Sequence, residues 1–267
     1  METPVAVTIA GSDNSGGAGI QADLKTFTHF KVYGQTVVTC IVAEISGQVR
    51  SIQPVDSGVI RDQLELSLKH FPVAAIKTGM LYSSENIDLI CDAFEAVPRS
   101  DRPFLVVDPV MTATSGDPLV LPDAIERYKS RLFRIAGVVT PNLDEMSAIL
   151  GEKLASLDSM REAVRRLYDQ YRVPFLAKGG HLQTVSAIDL LVDSEGLHEY
   201  SEPYLQGVST HGTGCTYSAA IAANVALGLP LNAAVGVAKK YVTQAIVDSF
   251  HWNTGAGRIF ALRHFWG

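Results

Sequence analysis

The stretch VAVTIAGSDNSGGAGIQADLK, residues 5–25, contains a strand, a glycine-rich turn and the start of a helix in one run. Residues 5–10 are short, apolar and β-branched, and the pattern beyond the glycines predicts a helix near residues 18–30. Strand–turn–helix is the repeating unit of α/β proteins, whose ligands bind beyond the carboxyl ends of the strands. The stretch therefore predicts a parallel sheet and a ligand site at its first loop.

The same alternation continues through the first two thirds of the chain. Residues 36–45 are apolar at nearly every position, which predicts a strand buried on both faces, and a helix is predicted at 59–71. The remaining elements of this part are strands at 73–80, 104–111, 136–140 and 173–180 and a helix at 86–97. Helices between strands favour a parallel sheet with helices on both faces.

The pattern changes near the end. Residues 186–201 read as two strands around a Ser-Glu-Gly turn at 194–196, which predicts a hairpin, and helices follow at 213–228 and 231–249. No repeat, low-complexity tract or linker divides the chain. Residues 1–267 are therefore predicted to form a single α/β domain with a mostly parallel central sheet.

Composition limits the partners and the compartment. The 267 residues are 47% hydrophobic and carry a net charge of −6, so a basic surface for nucleic acid or an anionic membrane is not expected. No run of 18 apolar residues predicts a membrane span, and the first residues lack the basic start of a signal peptide. Cys40, Cys91 and Cys215 are far apart, which argues against disulfides and zinc and predicts a reducing cytoplasm.

The first glycine loop has two competing interpretations. Gly17 to Ala22 is a formal match to the dinucleotide-binding pattern GxGxxG/A. Glu44 lies 22 residues after Ala22, where this pattern places the carboxylate that binds the ribose. Six residues, Gly11 to Gly16, separate the predicted strand from that pattern, a loop too long to place a pyrophosphate on the helix end. An NAD(P)-dependent oxidoreductase is therefore only a remote alternative. A glycine loop without any ligand is a further one.

Two short motifs follow later strands. In TPNLDE, Asn142 and Glu145 fit a helix capping box, and Glu145 could also hold Mg²⁺ through water; the two interpretations are compatible. In AKGGH, Lys178 ends a strand before two glycines. A lysine at such a place is usually solvated, and beside a phosphate it would act as a point charge.

THGTGCTYSAA, residues 210–220, combines glycines with a cysteine at the start of a helix. The backbone N–H groups of a helix start attract anions, and their field lowers the pKa of a thiol such as Cys215. The alternative is a small buried residue, which explains Cys40 and Cys91 but not the glycines before Cys215. The chain has no GxxxxGK[ST], HExxH or GxSxG motif, so a P-loop, a metalloprotease and an α/β-hydrolase have no support.

Together these motifs resemble one family. AGSDNSGGAGIQADLKTF, IKTGML, VVDPVM, SGDPLVL, TPNLDE, KGGH and THGTGCT occur in the order typical of the hydroxymethylpyrimidine/phosphomethylpyrimidine kinases of thiamine biosynthesis, a branch of the ribokinase-like superfamily. The resemblance implies a three-layer α/β/α sandwich. It also implies transfer of phosphate from ATP, with Mg²⁺, to the hydroxymethyl group of 4-amino-5-hydroxymethyl-2-methylpyrimidine. Phosphorylation of the monophosphate stays open, as does a homodimer by analogy.

The resemblance also assigns roles to residues of this chain. The γ-phosphoryl group is expected at Gly212, Thr213 and Gly214, with Cys215 as the base. The nucleotide is expected near Asn142, Lys178 and Thr210, and Mg²⁺ near Glu145 and Asp108. The substrate ring is expected near Gly11, Asp13, Ala18, Glu44, Met80 and Val107.

Glu44 departs from the family pattern, because the pyrimidine kinases carry glutamine there. A carboxylate only accepts hydrogen bonds, whereas a glutamine amide both accepts and donates, so Glu44 is expected to change substrate preference or its pH dependence. The alternative function within the same branch is a pyridoxal/pyridoxine kinase.

Overall fold

A computed structural model describes residues 3–111, 119–121, 123–182, 186–206, 211–255 and 257–266. Its centre is a nine-stranded sheet in the order β3-β2-β1-β4-β5-β6-β7-β8-β9. The strands are β1 (Val5–Asp13), β2 (Tyr33–Ile45), β3 (Gln48–Pro54), β4 (Val73–Thr78), β5 (Phe104–Val107), β6 (Val138–Val139), β7 (Phe175–Lys178), β8 (Ser186–Asp193) and β9 (Gly196–Pro203). Neighbouring strands are parallel along the row β2-β1-β4-β5-β6-β7. Antiparallel pairs flank this row, with β3 on one side and β8 and β9 on the other.

Helices cover both faces of the sheet, as the sequence predicts. The longer helices are α1 (Gly19–His29), α2 (Ser57–His70), α3 (Ser84–Ala96), α6 (Leu143–Leu150), α7 (Leu157–Tyr171), α8 (Thr213–Ala226) and α9 (Leu231–Val247). The shorter ones are α4 (Ala124–Arg127) and α5 (Phe133–Ile135), which a π-helical turn at Tyr128–Leu132 joins, and 3₁₀ turns at Arg99–Asp101 and Gly180–Leu182. The predicted three-layer sandwich with a mostly parallel sheet is confirmed.

Side-chain size explains how the layers pack. Val7 and Ile9 of β1 face one core with helices α2 to α7, while Ala6 faces a second core with α1, α8 and α9. Successive residues of a strand point to opposite faces, so one strand serves both cores. Helix α8 is rich in alanine and buried from Thr216 to Asn224, and its small side chains let it approach the sheet closely.

The structure corrects several predicted boundaries. β1 continues three residues further than predicted, to Asp13, whereas β4 ends before Gly79 and β5 ends before Asp108. β2 is not buried on both faces: in its second half, which pairs with β3, Ile41 is 56% exposed. The elements that the sequence did not predict are β3, α4, α5, α7 and a small hairpin of β10 (Phe250–Thr254) and β11 (Gly257–Ala261).

None of the helices in the described ranges combines the length and the apolar character that a membrane crossing requires.

Candidate active site

The predicted site residues gather at one edge of the sheet. Asp13 ends β1, Glu44 lies near the end of β2, Asp108 directly follows β5, Asn142 follows β6, and Lys178 ends β7. Because these strands are parallel, their carboxyl ends meet at the same edge. The start of α8 lies against the same edge, through contacts that the following paragraphs describe. Thr210 lies outside the described residues.

The two glycine loops pack directly against each other. Gly212 has a φ angle of +79°, a conformation that L side chains rarely adopt, and a Cβ atom on it would lie 1.8 Å from the carbonyl oxygen of Gly17. A Cβ atom on Gly17 would lie 3.0 Å from the His211 ring. The loop before α8 therefore covers the loop before α1. This contact leaves no room for a pyrophosphate on the start of α1, which argues against the dinucleotide alternative.

The first turn of α8 faces a lysine. Its first intrahelical bond joins Thr216 N–H to the Gly212 carbonyl at 2.9 Å, so the N–H groups of Gly214 and Cys215 lie ahead of that bond and point out of the helix. A Cβ atom on Gly214 would lie 3.3 Å from Lys178 Nζ. A helix start and an ammonium group therefore meet at one point, which favours an anion there.

Lys178 is not solvated, in contrast to the usual state of such a lysine. Its side chain is 12% exposed, and Nζ donates to Asp108 Oδ1 at 2.7 Å. Ser218 and Thr140 also donate to this carboxylate, at 3.1 and 3.3 Å. Burial alone would raise the pKa of Asp108, but Lys178 and the nearby Lys77 hold it below its ordinary value. Burial would lower the pKa of Lys178, and Asp108 and Glu145 raise it instead.

The capping box predicted in TPNLDE is confirmed. Asn142 Oδ1 accepts from Glu145 N–H at 2.9 Å, and Glu145 Oε2 accepts from Asn142 N–H at 2.7 Å. Burial raises the pKa of Glu145 to about 7, Lys178 opposes this shift, and Asp108 adds to it. Lys178 N–H donates to the Pro141 carbonyl at 2.9 Å, which fixes the lysine beside this helix start.

The thiol of Cys215 does not behave as the helix start predicts. Burial raises the pKa of Cys215 to about 11, while the Lys77 ammonium opposes the shift and Asp23 and Asp108 add to it. The backbone N–H of Gly19 donates to the sulfur and also opposes the shift. The expected lowering of the thiol pKa by the helix start is therefore wrong, because burial and two carboxylates outweigh it.

Three charged side chains lie beyond the glycine loops. Asp13 Oδ1 accepts from Ser15 N–H at 2.6 Å, and Asp13 Oδ2 accepts from Ala18 N–H at 2.8 Å and lies 3.5 Å from His211 Nε2. Burial would raise the pKa of Asp13, but the hydrogen bonds from His211, Ser15 and Ala18 lower it to about 2. The bond to Asp13 raises the pKa of His211, and Glu44 raises it further, whereas burial lowers it. Burial and Asp13 raise the pKa of Glu44, whereas His211 lowers it.

Asp13, Glu44 and His211 could formally hold a metal ion, since each offers a ligand atom and these atoms lie within 4.8 Å of one another. The imidazole must be neutral to bind a metal, and here a carboxylate favours its protonated form. The two oxygens of Asp13 also accept bonds from Ser15 and Ala18 already. An ion pair with a second carboxylate nearby therefore describes this group better than a metal centre.

Gly11 and Met80 form an apolar wall near this group. A Cβ atom on Gly11 would lie 2.8 Å from Cys40 Sγ and 3.6 Å from Met80 Sδ, so only glycine fits there. Val107 does not join this wall. Its side chain is completely buried in the core shared with α3, and its carbonyl accepts from Thr140 N–H. The side chain of Val107 therefore cannot make the expected contact with the substrate ring.

A family model described as phosphomethylpyrimidine kinase matches residues 13–260. The chain belongs to the phosphomethylpyrimidine kinase family. The thiamine biosynthesis bifunctional protein ThiED of Geobacter sulfurreducens is 42% identical over 90% of this chain, which spans 48% of that protein. The hydroxymethylpyrimidine/phosphomethylpyrimidine kinase of Rhizobium meliloti is 39% identical over 99% of both chains. The family and the kinase class predicted from the motifs are confirmed.

A solved structure supports the same fold for this kinase. The pyridoxal kinase from Staphylococcus aureus, in complex with AMP-PCP and pyridoxal, superimposes with a TM-score of 0.88 at 34% identity, over 99% of this chain and 94% of that one. The ribokinase-like fold predicted from the motifs is thereby confirmed.

The sequence interpretation missed the buried charged pair that lies nearest to this site. Lys77 and Asp23 are completely buried and joined at 2.8 Å. Lys77 lies in the run VAAIKTGM, where a charge interrupts an apolar strand, and Asp23 lies on the buried face of α1 beside Ala22. A charge at a position that periodicity assigns to the core is a signal that could have identified both.

Proposed function

We propose that this kinase transfers the γ-phosphoryl group of ATP to the hydroxymethyl group of 4-amino-5-hydroxymethyl-2-methylpyrimidine. The observation that carries the proposal is the direct contact of the two glycine loops at Gly17 and Gly212. On one side of it lies the start of α8 with Lys178, which favours an anion, and on the other side lies the charged group of Asp13, Glu44 and His211. A phosphoryl donor and a polar ring can therefore meet next to Cys215. The names of the relatives support the same substrate.

The residues can perform the transfer in one balanced step. The thiolate of Cys215 accepts the hydroxyl proton, the substrate oxygen forms a bond to the γ-phosphorus, and the bond from that phosphorus to the bridging oxygen breaks to release ADP. The N–H groups of Gly214 and Cys215 and the ammonium of Lys178 stabilise the charge on the phosphoryl oxygens. Because burial raises the thiol pKa, this role requires positive charge near the sulfur.

Asp108 and Glu145 suit Mg²⁺. Both are buried carboxylates near Lys178, and oxygen ligands are those that Mg²⁺ prefers. Burial first, and Asp108 after it, raise the pKa of Glu145 against the effect of Lys178, so a bound cation would favour its ionised form. When bound, Mg²⁺ would neutralise charge on the phosphates of ATP. A reducing cytoplasm, supported by three free cysteines, also belongs to the proposal, as do the homodimer and the second phosphorylation.

A pyridoxal kinase activity is the second candidate, favoured by the structural similarity to the Staphylococcus aureus enzyme. Glu44 should discriminate between the two, because an ionised carboxylate needs a ring that donates hydrogen bonds to it. An aminopyrimidine presents an amino donor. His211 can donate to a ring acceptor, since Asp13 favours its protonated form.

The test is a substrate panel with Mg-ATP: the hydroxymethylpyrimidine, its monophosphate, pyridoxal, pyridoxine and ribose. ADP release gives kcat and KM, and mass spectrometry identifies each phosphorylated product. We expect the highest kcat/KM for the hydroxymethylpyrimidine and no phosphorylation of ribose. A higher kcat/KM for pyridoxal would refute the first candidate and support the second. If no compound is phosphorylated, both candidates are refuted. A fluorescence titration with NADH should show no binding.

A further inference from the structure

The pair of Lys77 and Asp23 has no part in the function proposed so far. Lys77 Nζ lies 2.8 and 3.0 Å from the two oxygens of Asp23, and both side chains are completely buried. Thr8 Oγ1 donates to the same carboxylate at 2.5 Å. Apolar residues can often replace a buried ion pair without loss of stability, because the desolvation of two charges offsets their attraction. Stability alone therefore does not explain these charges.

The pair lies between the sheet and the start of α8. Lys77 follows Ala75 by two residues on β4, and Ala75 packs in the core with α8, so Lys77 points to the same face. Asp23 reaches it from α1, which packs along α8. A Cβ atom on Gly79 would lie 3.0 Å from Lys77 Nζ, which places the ammonium at the carboxyl end of the strand. This is the edge at which α8 begins.

The charges that act on Cys215 come from several elements. Burial and the carboxylates of Asp23 and Asp108 raise the pKa of the thiol, and Lys77 is the strongest of the groups that lower it. In turn, burial would lower the pKa of Lys77, whereas Asp23 first and then Cys215 and Asp108 raise it. Asp23 therefore keeps the lysine protonated inside the core.

We propose that Lys77 is a positioning residue that supplies the counter-charge for the thiolate of Cys215, and that Asp23 holds this lysine charged and in place. The proposal rests on the function proposed above, in which the thiolate accepts the hydroxyl proton of the substrate. The lysine touches neither the substrate nor the phosphates in this scheme. It increases the fraction of Cys215 that can accept a proton.

The test measures the thiol directly, without any substrate. The variant Lys77→Met/Asp23→Asn removes both charges, and the rate at which iodoacetamide alkylates Cys215 is followed by peptide mass spectrometry between pH 7 and pH 10. Lys77 acts more strongly on the thiol than Asp23 does. We therefore expect alkylation at a given pH to be about tenfold slower, which corresponds to about one unit of pKa. In phosphorylation assays, kcat should fall while KM for ATP is unchanged.

A second buried pair of the chain provides the matched control. Lys239 Nζ lies 2.7 Å from Asp189 Oδ2, and the two side chains are 8% and 3% exposed. Lys239→Met/Asp189→Asn removes the same number of buried charges, and the new amide can still accept from Gly179 N–H as Asp189 Oδ1 does. This variant should alkylate Cys215 at the wild-type rate. Lys77→Arg, which keeps the charge, should also retain that rate.

The proposal is overturned if the folded Lys77→Met/Asp23→Asn variant alkylates Cys215 at the wild-type rate. It is also overturned if Lys77→Arg is as slow as that variant, or if the Lys239 control is equally slow. Should the double variant not fold, Lys77→Gln keeps a donor for Asp23 and takes its place. Because alkylation needs no substrate, its outcome is separate from the substrate panel, whose failure would refute the proposed function instead.

Discussion

Gly214→Ala would separate catalysis from stability at the proposed anion site. The residue lies in the first turn of α8, so alanine can adopt its helical backbone. The new methyl carbon would lie 3.3 Å from Lys178 Nζ and 3.9 Å from Asp108 Oδ2. The first distance is shorter than an ordinary contact of about 3.5–4.0 Å, so the ammonium must move, and the methyl group occupies space next to the phosphoryl oxygens.

The substitution should lower kcat but raise the free energy of unfolding. Loss of one donor from such a site lowers kcat by about 100-fold to 1,000-fold, and we expect about 100-fold because the methyl displaces groups without deleting them. Alanine is better than glycine in a helix by up to about 1 kcal/mol, which should raise Tm by about 2 °C in a chain of this size. The variant should therefore be more stable and much less active.

Coupled ADP release and differential scanning calorimetry would measure both quantities, and the chain offers a matched control. Gly236 lies inside α9, where a Cβ atom would meet Tyr200 Cε1 at an ordinary distance of 3.6 Å. Gly236→Ala should give a similar rise in Tm with wild-type kcat. If Gly214→Ala also keeps wild-type kcat while its Tm rises, the start of α8 does not bind the transferred phosphoryl group.

Three further variants test other parts of the site. Cys215→Ala should lower kcat by about 100-fold to 10,000-fold with little change in Tm, and an unchanged kcat in the ADP assay would mean that another group is the base. Glu44→Gln should flatten the pH profile of kcat/KM: in the wild type this ratio should rise as pH increases through the raised pKa of Glu44, because the ionised carboxylate accepts from the amino group of the substrate more strongly, and superimposable profiles would contradict this role. Glu145→Gln should lower activity by about 10-fold to 100-fold. Because burial raises the pKa of Glu145 from 4.5 to about 7, the wild type should lose stability as pH rises through that range. The glutamine variant should lose no stability from this group over that range. Tm should be measured at pH 5 and pH 8 without metal, and an equal fall in Tm for the wild type and the variant would contradict this reasoning.

Local sequence signals predicted most of the fold. The capping box at Asn142 depends on residues three apart, and the strand–turn–helix run at residues 5–25 depends on neighbours, so both can be recognised without the tertiary structure. Helix α7 also carries such a signal, since Ser156 caps it and its buried residues follow helical spacing, yet it was not predicted. β3 carries none: QVRSIQP is polar and mostly exposed, and it forms a strand only because β2 pairs with it.

The sequence predicted that the candidate site residues lie close together, but it did not predict their charge states. Parallel strands bring their carboxyl ends together, so Asp108, Asn142 and Lys178 could be expected at one edge. The pKa of Cys215 could not, because burial and the charges that set it come from α1, β4 and the residue after β5. Those elements are far apart in sequence. A helix start is a local feature, and here three non-local charges and burial decide the outcome.

In the proposed function, the ion pair of Lys178 and Asp108 would couple the binding of the nucleotide to the binding of Mg²⁺. In the structure, each side chain provides the counter-charge of the other at 2.7 Å. A phosphate that takes Lys178 as its partner leaves Asp108 buried beside Glu145 with less compensation, and removing one partner of a buried pair costs about 3–5 kcal/mol. A divalent cation at Asp108 would restore the balance. Nucleotide and cation should therefore each bind more tightly in the presence of the other, because such a coupling free energy is reciprocal.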